Sequence, residues 1–136
     1  PDTVTVIENS AFHGCNQLMA VDIPEGVQKI ADGAFINCNQ LTFLRIPASV
    51  TIMGEGAISG CAKLQSIYFA GDAPDTEGIA VEDVAAVAYY HSDNLTWNEA
   101  AQASVGAELT WIPVSGNMIF AQPEVPVALE NSEIVE

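Results

Sequence analysis

The chain has 136 residues, 49% of them hydrophobic, and carries 18 acidic against three basic residues for a formal net charge of −15. That apolar content argues against a disordered chain, and a charge so negative repels phosphate backbones and anionic lipid, which argues against nucleic acid as a partner. No apolar run approaches the roughly 18 residues of a membrane span, the longest candidate being Val84 to Tyr90, so direct membrane insertion is not expected either.

From its first residues the chain repeats itself. Pro1-Asp2-Thr3-Val4 aligns with Pro24-Glu25-Gly26-Val27, which reads as the end of one repeat and implies further repeats upstream. An end stripped of such repeats would offer an apolar face and an open strand edge, so self-association through the N-terminal edge is expected.

The stretches beginning at Ile7, Ile30 and Met53 follow one another at a 23-residue interval. Cysteine recurs at Cys15, Cys38 and Cys61, leucine at Leu18, Leu41 and Leu64, and a large apolar plug at Phe12, Phe35 and Ile58. A fixed period of about 20 to 50 residues, with apolar types held and polar types free, marks a solenoid. Its core is then a column rather than a ball.

Within each repeat, Leu18 to Ile23, Leu41 to Ile46 and Leu64 to Phe69 end in an apolar-polar alternation, which predicts a strand, and strands from successive coils must lie parallel. Pro24 and Pro47 close the strand because proline supplies no ladder donor. Val27 and Ile30, then Val50 and Met53, return to the core from the opposite wall. A short helical turn is expected next, with Asn9 and Asp32 as caps, Phe12 or Phe35 turned inward, and Gly14, Asn37 and Gly60 as left-handed ends.

The three cysteines fall in one column, where stacked side chains run parallel instead of facing each other, so they are expected to be buried free thiols. One column cannot surround a metal tetrahedrally, and no metal or other cofactor is expected.

From Gly71 to Val114 the residues read as a cap for the last coil, whose apolar face and strand edge need cover. Val87 to Tyr90 predicts a strand. Thr96-Trp97-Asn98-Glu99 reads as a capping box opening a helix through about Ser104 and stopped by Gly106, and Glu108 to Val114 predicts a last strand. Trp97 and Trp111 are plugs for the core. Residues 115–136 mix prolines with acidic residues and leave open a linker, an extra strand or the start of another module.

These residues resemble the BspA-like leucine-rich repeat family, whose unit has Ala-Phe-x-x-Cys-x-x-Leu, an Ile-x-Ile-Pro strand end and Val-x-x-Ile. Ala11-Phe12, Cys15, Leu18, Val21, Ile23, Pro24, Val27 and Ile30 match it, as do Ala34-Phe35, Cys38, Leu41, Leu44, Ile46, Pro47, Val50 and Met53. The third copy departs, with Ile58 for the phenylalanine and Ala70 for the proline. Gly71 to Pro74, Ala88-Tyr89-Tyr90, Thr96-Trp97 and Thr110-Trp111 are similar to the ending of bacterial members. The resemblance implies a right-handed leucine-rich repeat solenoid with a parallel sheet and short helical turns, about three coils over residues 1–70 and a small α+β cap over 71–114. It further implies an extracellular or bacterial cell-surface protein that binds other proteins.

The residues themselves carry little chemistry. His13 and His91 stand apart along the column, and no phosphate loop, His-Glu-x-x-His or Cys-x-x-Cys occurs. Glu82-Asp83 and the Asp72, Asp75, Glu77 group lack the alternating ligand spacing of a calcium loop. Asn94-Leu95-Thr96 is a glycosylation sequon by pattern alone. No enzymatic role is expected. What remains is recognition on the outer side of the sheet, where Ala20, Phe43 and Ser66 form one column and Asp22, Arg45 and Tyr68 another. Phe43, Arg45 and Tyr68 are the candidate binding residues, being of types enriched in interface hot spots. Two functions follow: a non-catalytic protein-binding module for adhesion or host-protein interaction, or a structural spacer holding another domain away from the cell.

Overall fold

The computed structural model describes residues 3–115. Its strands are short and follow one another as β1 (Val6–Ile7), β2 (Ala20–Asp22), β3 (Lys29–Ile30), β4 (Phe35–Ile36), β5 (Phe43–Ile46) and β6 (Ile52–Met53). Then come β7 (Ile58–Ser59), β8 (Ser66–Phe69), β9 (Asp75–Thr76), β10 (Val81–Glu82) and β11 (Val87–His91), the helix α1 (Glu99–Gly106), and β12 (Thr110–Val114). They stack as three parallel walls around one column: β1-β3-β6-β9, β4-β7-β10 and β2-β5-β8-β11-β12.

The 23-residue interval sets the register of every wall. Val6 lies opposite Lys29, Phe35 opposite Ile58, and Ala20 opposite Phe43, which in turn lies opposite Ser66. Because side chains alternate along a strand, this stacks like on like: Val21, Leu44, Ile67 and Ala88 are fully buried, and their chain neighbours face outward. Phe35 is also fully buried, and its ring stacks on Phe12 with centroids 5.2 Å apart.

The segments expected as helical turns take another form. Phe35–Ile36, Ile58–Ser59 and Val81–Glu82 are the strands of the second wall, and alternate amides bond between coils, as in Phe35 N to Ala57 O at 2.8 Å, while Ile36 N bonds within its coil to Gly33 O at 3.2 Å. Two left-handed residues bracket each of the first two segments, Gly33 (φ 64°) and Asn37 (φ 57°) in one coil, Gly56 (φ 62°) and Gly60 (φ 67°) in the next, and left-handed Asp83 (φ 56°) ends the third. A first α-helical hydrogen bond fixes three residues, which is all that stand between Gly33 and Asn37, so no helix could propagate there. Asp32 does not cap its own turn; its carboxylate accepts from the amide of Glu55, in the next coil, at 2.9 Å.

Past residue 70 the walls continue through β9 and β10 at the same interval. The third wall then shortens its step. Val87 lies opposite Ser66, only 21 positions away, so two residues are missing between β10 and β11. After β11 the helix stands where the next strand of the second wall would be and packs against β10. Asn98, not Thr96, caps it, accepting from Ala101 N at 2.9 Å, while the Thr96 hydroxyl accepts from Ala73 N at 2.9 Å. Gly106 is the last helical residue and is closely packed: a Cβ there would lie 3.0 Å from the carbonyl oxygen of Val81.

An aromatic cluster fills the end of the column. Trp97 contacts Phe69 (centroids 4.8 Å), Trp111 (5.1 Å) and Tyr90 (6.1 Å), and both indole N–H groups are satisfied, Trp97 by Gly71 O at 2.9 Å and Trp111 by Gly106 O at 3.1 Å. Among the described residues β12 forms the outer edge of the five-stranded sheet, with Pro113 exposed on it. A proline on an edge strand denies a donor to any further strand. The expectations for residues 116–136 lie outside the described residues.

Candidate functional site

The five-stranded sheet presents its outer side chains in two columns. Pairing places Ala20, Phe43, Ser66, Val87 and Thr110 side by side, and beside them Asp22, Arg45, Tyr68, Tyr89 and Ile112. Phe43, Arg45 and Tyr68 are all half-exposed and lie on this one face. Adjacent strands about 4.8 Å apart put them within a single contact patch.

Their side chains form a continuous series across the strands. Arg45 Nη1 lies 3.2 Å from Asp22 Oδ1 and Arg45 Nη2 3.6 Å from Glu25 Oε2, so its charge is matched by two carboxylates. The guanidinium also lies over the Tyr68 ring, 5.9 Å from its centroid, at the distance of a cation–π contact. On its far side the Tyr68 hydroxyl is 2.6 Å from His91 Nε2, with the two rings edge to face. Burial pushes the Tyr68 phenol up, the positive charge of Arg45 pulling weakly the other way, so the hydroxyl stays protonated at neutral pH.

Three members of this group were not singled out in the sequence. Glu25 follows the strand-closing proline and carries no periodic signal. Tyr89 is hidden by the shortened step: 23 positions beyond Tyr68 stands His91, whereas the strand partner of Tyr68 is Tyr89. His91 reads in the sequence as an edge histidine after the cap strand, and it is the last residue of β11.

The cysteines are packing elements. Cys38 Sγ donates to Phe12 O at 3.0 Å and Cys61 Sγ to Phe35 O at 3.1 Å, each tying its coil to the one before, and neither is in a disulfide. The neighbouring Cys61 thiol, and burial after it, push the Cys38 thiol far above its ordinary value. Cys15, in the first coil, is half-buried, a departure from the uniformly buried ladder expected of the three. Among the described residues no group of three or more His, Cys, Asp or Glu side chains is placed to hold a metal ion. The sequon at Asn94 is spent locally: its amide N–H donates to Asp72 Oδ1 at 2.9 Å and its oxygen accepts from Thr96 N at 3.0 Å.

The family model described as the BspA type leucine rich repeat region matches residues 1–96, in six copies. The chain belongs to that family. Its coils are thus BspA-type leucine-rich repeats, a kind typical of bacterial surface proteins, and repeats of this type serve in general as protein-interaction scaffolds without catalytic function. No curated protein and no solved structure matches the chain. No helix among the described residues is long and apolar enough to cross a membrane.

Proposed function

We propose that this chain is a non-catalytic, extracellular or cell-surface module that binds another protein, in adhesion or host-protein interaction, through the outer face of its five-stranded sheet. One observation carries the reading: the strand register gathers Phe43, Arg45, Tyr68 and Tyr89 onto one half-exposed face. Aromatic rings held in place by neighbours lose little entropy on binding, and arginine stacked on tyrosine is a common anchor in interfaces.

A second reading, a spacer holding another domain away from the cell, draws support from Arg45, whose charge is already engaged by Asp22 and Glu25. Capture of extracellular proteins on immobilised chain separates the two. Phe43→Ala and Tyr68→Ala, both folded, are each expected to weaken the captured complex by more than about 1 kcal/mol, roughly fivefold. Binding that survives both changes places the site on another wall, and capture of no protein favours the spacer.

A further inference from the structure

We infer that the partner of this face is cationic: an extended segment of another protein bearing lysine or arginine, lying across the strands with its positive side chains along the rim where the strands end. This rests on the sheet-face reading above and adds the chemistry of what binds.

The rim is acidic. Glu25 follows the end of β2, Asp72 the end of β8 and Asp93 the end of β11, and all three are exposed. The basic residues offset them only in part, Arg45 being shared between Asp22 and Glu25. Lys29 lies in β3 on another wall, where it pairs with Glu77. Lys63 precedes β8, at the opposite end of the strand, and donates to Gln40 Oε1 at 3.2 Å. Arg45 is the one cation in the outward columns, and Asp22 and Glu25 already match its charge twice over. A basic side chain arriving at the rim therefore meets carboxylates without meeting a free cation.

Rings distinguish this wall from the other two. Phe43, Tyr68 and Tyr89 are half-exposed on it, whereas the half-exposed or exposed strand residues of the other walls are Val6, Lys29, Ile52, Asp75, Thr76, Ile36, Ser59 and Glu82, none of them aromatic. Aromatic faces attract ammonium and guanidinium groups, and Arg45 over Tyr68 shows that geometry already realised within the chain. From β2 to β11 the face spans three strand spacings, about 14 Å, which is the reach of roughly four extended residues. A net charge of −15 adds long-range attraction for such a partner and speeds its encounter.

The test uses three fluorescent twelve-residue peptides of alternating sequence, lysine-threonine, serine-threonine and glutamate-threonine, titrated with the full chain at low and at physiological salt. The lysine peptide is expected to bind, with affinity falling as salt rises. Glu25→Gln with Asp93→Asn, and separately Tyr89→Ala, are each expected to weaken it at least about fivefold. Glu55→Gln with Asp75→Asn, away from this face, serves as the control for diffuse charge, and thermal melts establish that every variant is folded. Equal weakening by the control pair overturns the proposal, because the attraction would then belong to the whole molecule. A serine peptide that binds as well as the lysine peptide and is lost in Phe43→Ala overturns the cationic partner while leaving the sheet-face reading standing. A lysine peptide indifferent to every change on this face, with a captured protein equally indifferent to Phe43→Ala, overturns both.

Discussion

Cys38 and Cys61 show why a thiol suits its place in each coil. The position is buried against the plug residue of the coil before, and it must also satisfy a carbonyl oxygen, Phe12 O for one and Phe35 O for the other. A thiol is small, largely apolar and still a weak donor. Cys15 holds the same repeat position but is only half-buried. A thiol reagent should therefore label Cys15 in the native protein and leave Cys38 and Cys61 unreacted until the chain unfolds, as peptide mapping by mass spectrometry would show. Labelling of Cys38 or Cys61 at the rate of Cys15 would contradict this packing. At this scale the inward residues were legible, since a type that recurs every 23 positions must recur in the same surroundings. The outward ones were legible only where that interval holds, which is why Phe43, Arg45 and Tyr68 could be named from sequence and Tyr89 could not.

Among the elements, the strands of the long sheet were readable because they run three to five residues and alternate, whereas the second wall is built from two-residue strands too short to show any alternation. Their apolar residues and flanking glycines suit a helical turn equally well. The difference lies in alternate amides bonding between coils, and spacing alone does not report that. Gly54 marks how closely the coils approach: a Cβ there would lie 2.8 Å from the carbonyl carbon of Ala31 and against the amide of Asp32. Main chain cannot yield as a flexible side chain can. Gly54→Ala is expected to cost about 1 to 3 kcal/mol, read as a lower urea midpoint with little change in slope. An unchanged midpoint would mean that the coils stand further apart than described. The helix cap was misplaced by two residues for a related reason, since Thr96 and Asn98 are both competent caps and only the engagement of Thr96 with Ala73 decides between them.

The column formed by the described residues has two unlike ends. At one, α1 packs on β10 and the edge strand β12 carries Pro113. At the other, β2 is the edge of the long sheet among the described residues, Met19 beside it is 60% exposed, and Phe12, Cys15 and Leu18 line an open hollow of about 540 Å³. An apolar hollow next to an open strand edge favours pairing with another chain, while the net charge of −15 opposes it. Static light scattering should show mass rising with concentration, more steeply as salt screens the repulsion, and Met19→Lys should suppress the rise. A mass that stays monomeric at high salt and high concentration would show that this end is protected.

The shortened step before β11 bears on how such a chain can change its length over generations. Misaligned recombination between similar repeats adds or removes coding segments in whole units. A unit of 23 residues gained or lost ahead of β10 preserves every stacking partner, because each coil meets a neighbour of its own kind. The same event between β10 and β11 would set a full-length coil against a strand pairing that fits a coil two residues shorter, and it would displace the helix packed on β10. A whole unit gained or lost is therefore expected to be tolerated ahead of β10 and to be disruptive at the shortened step.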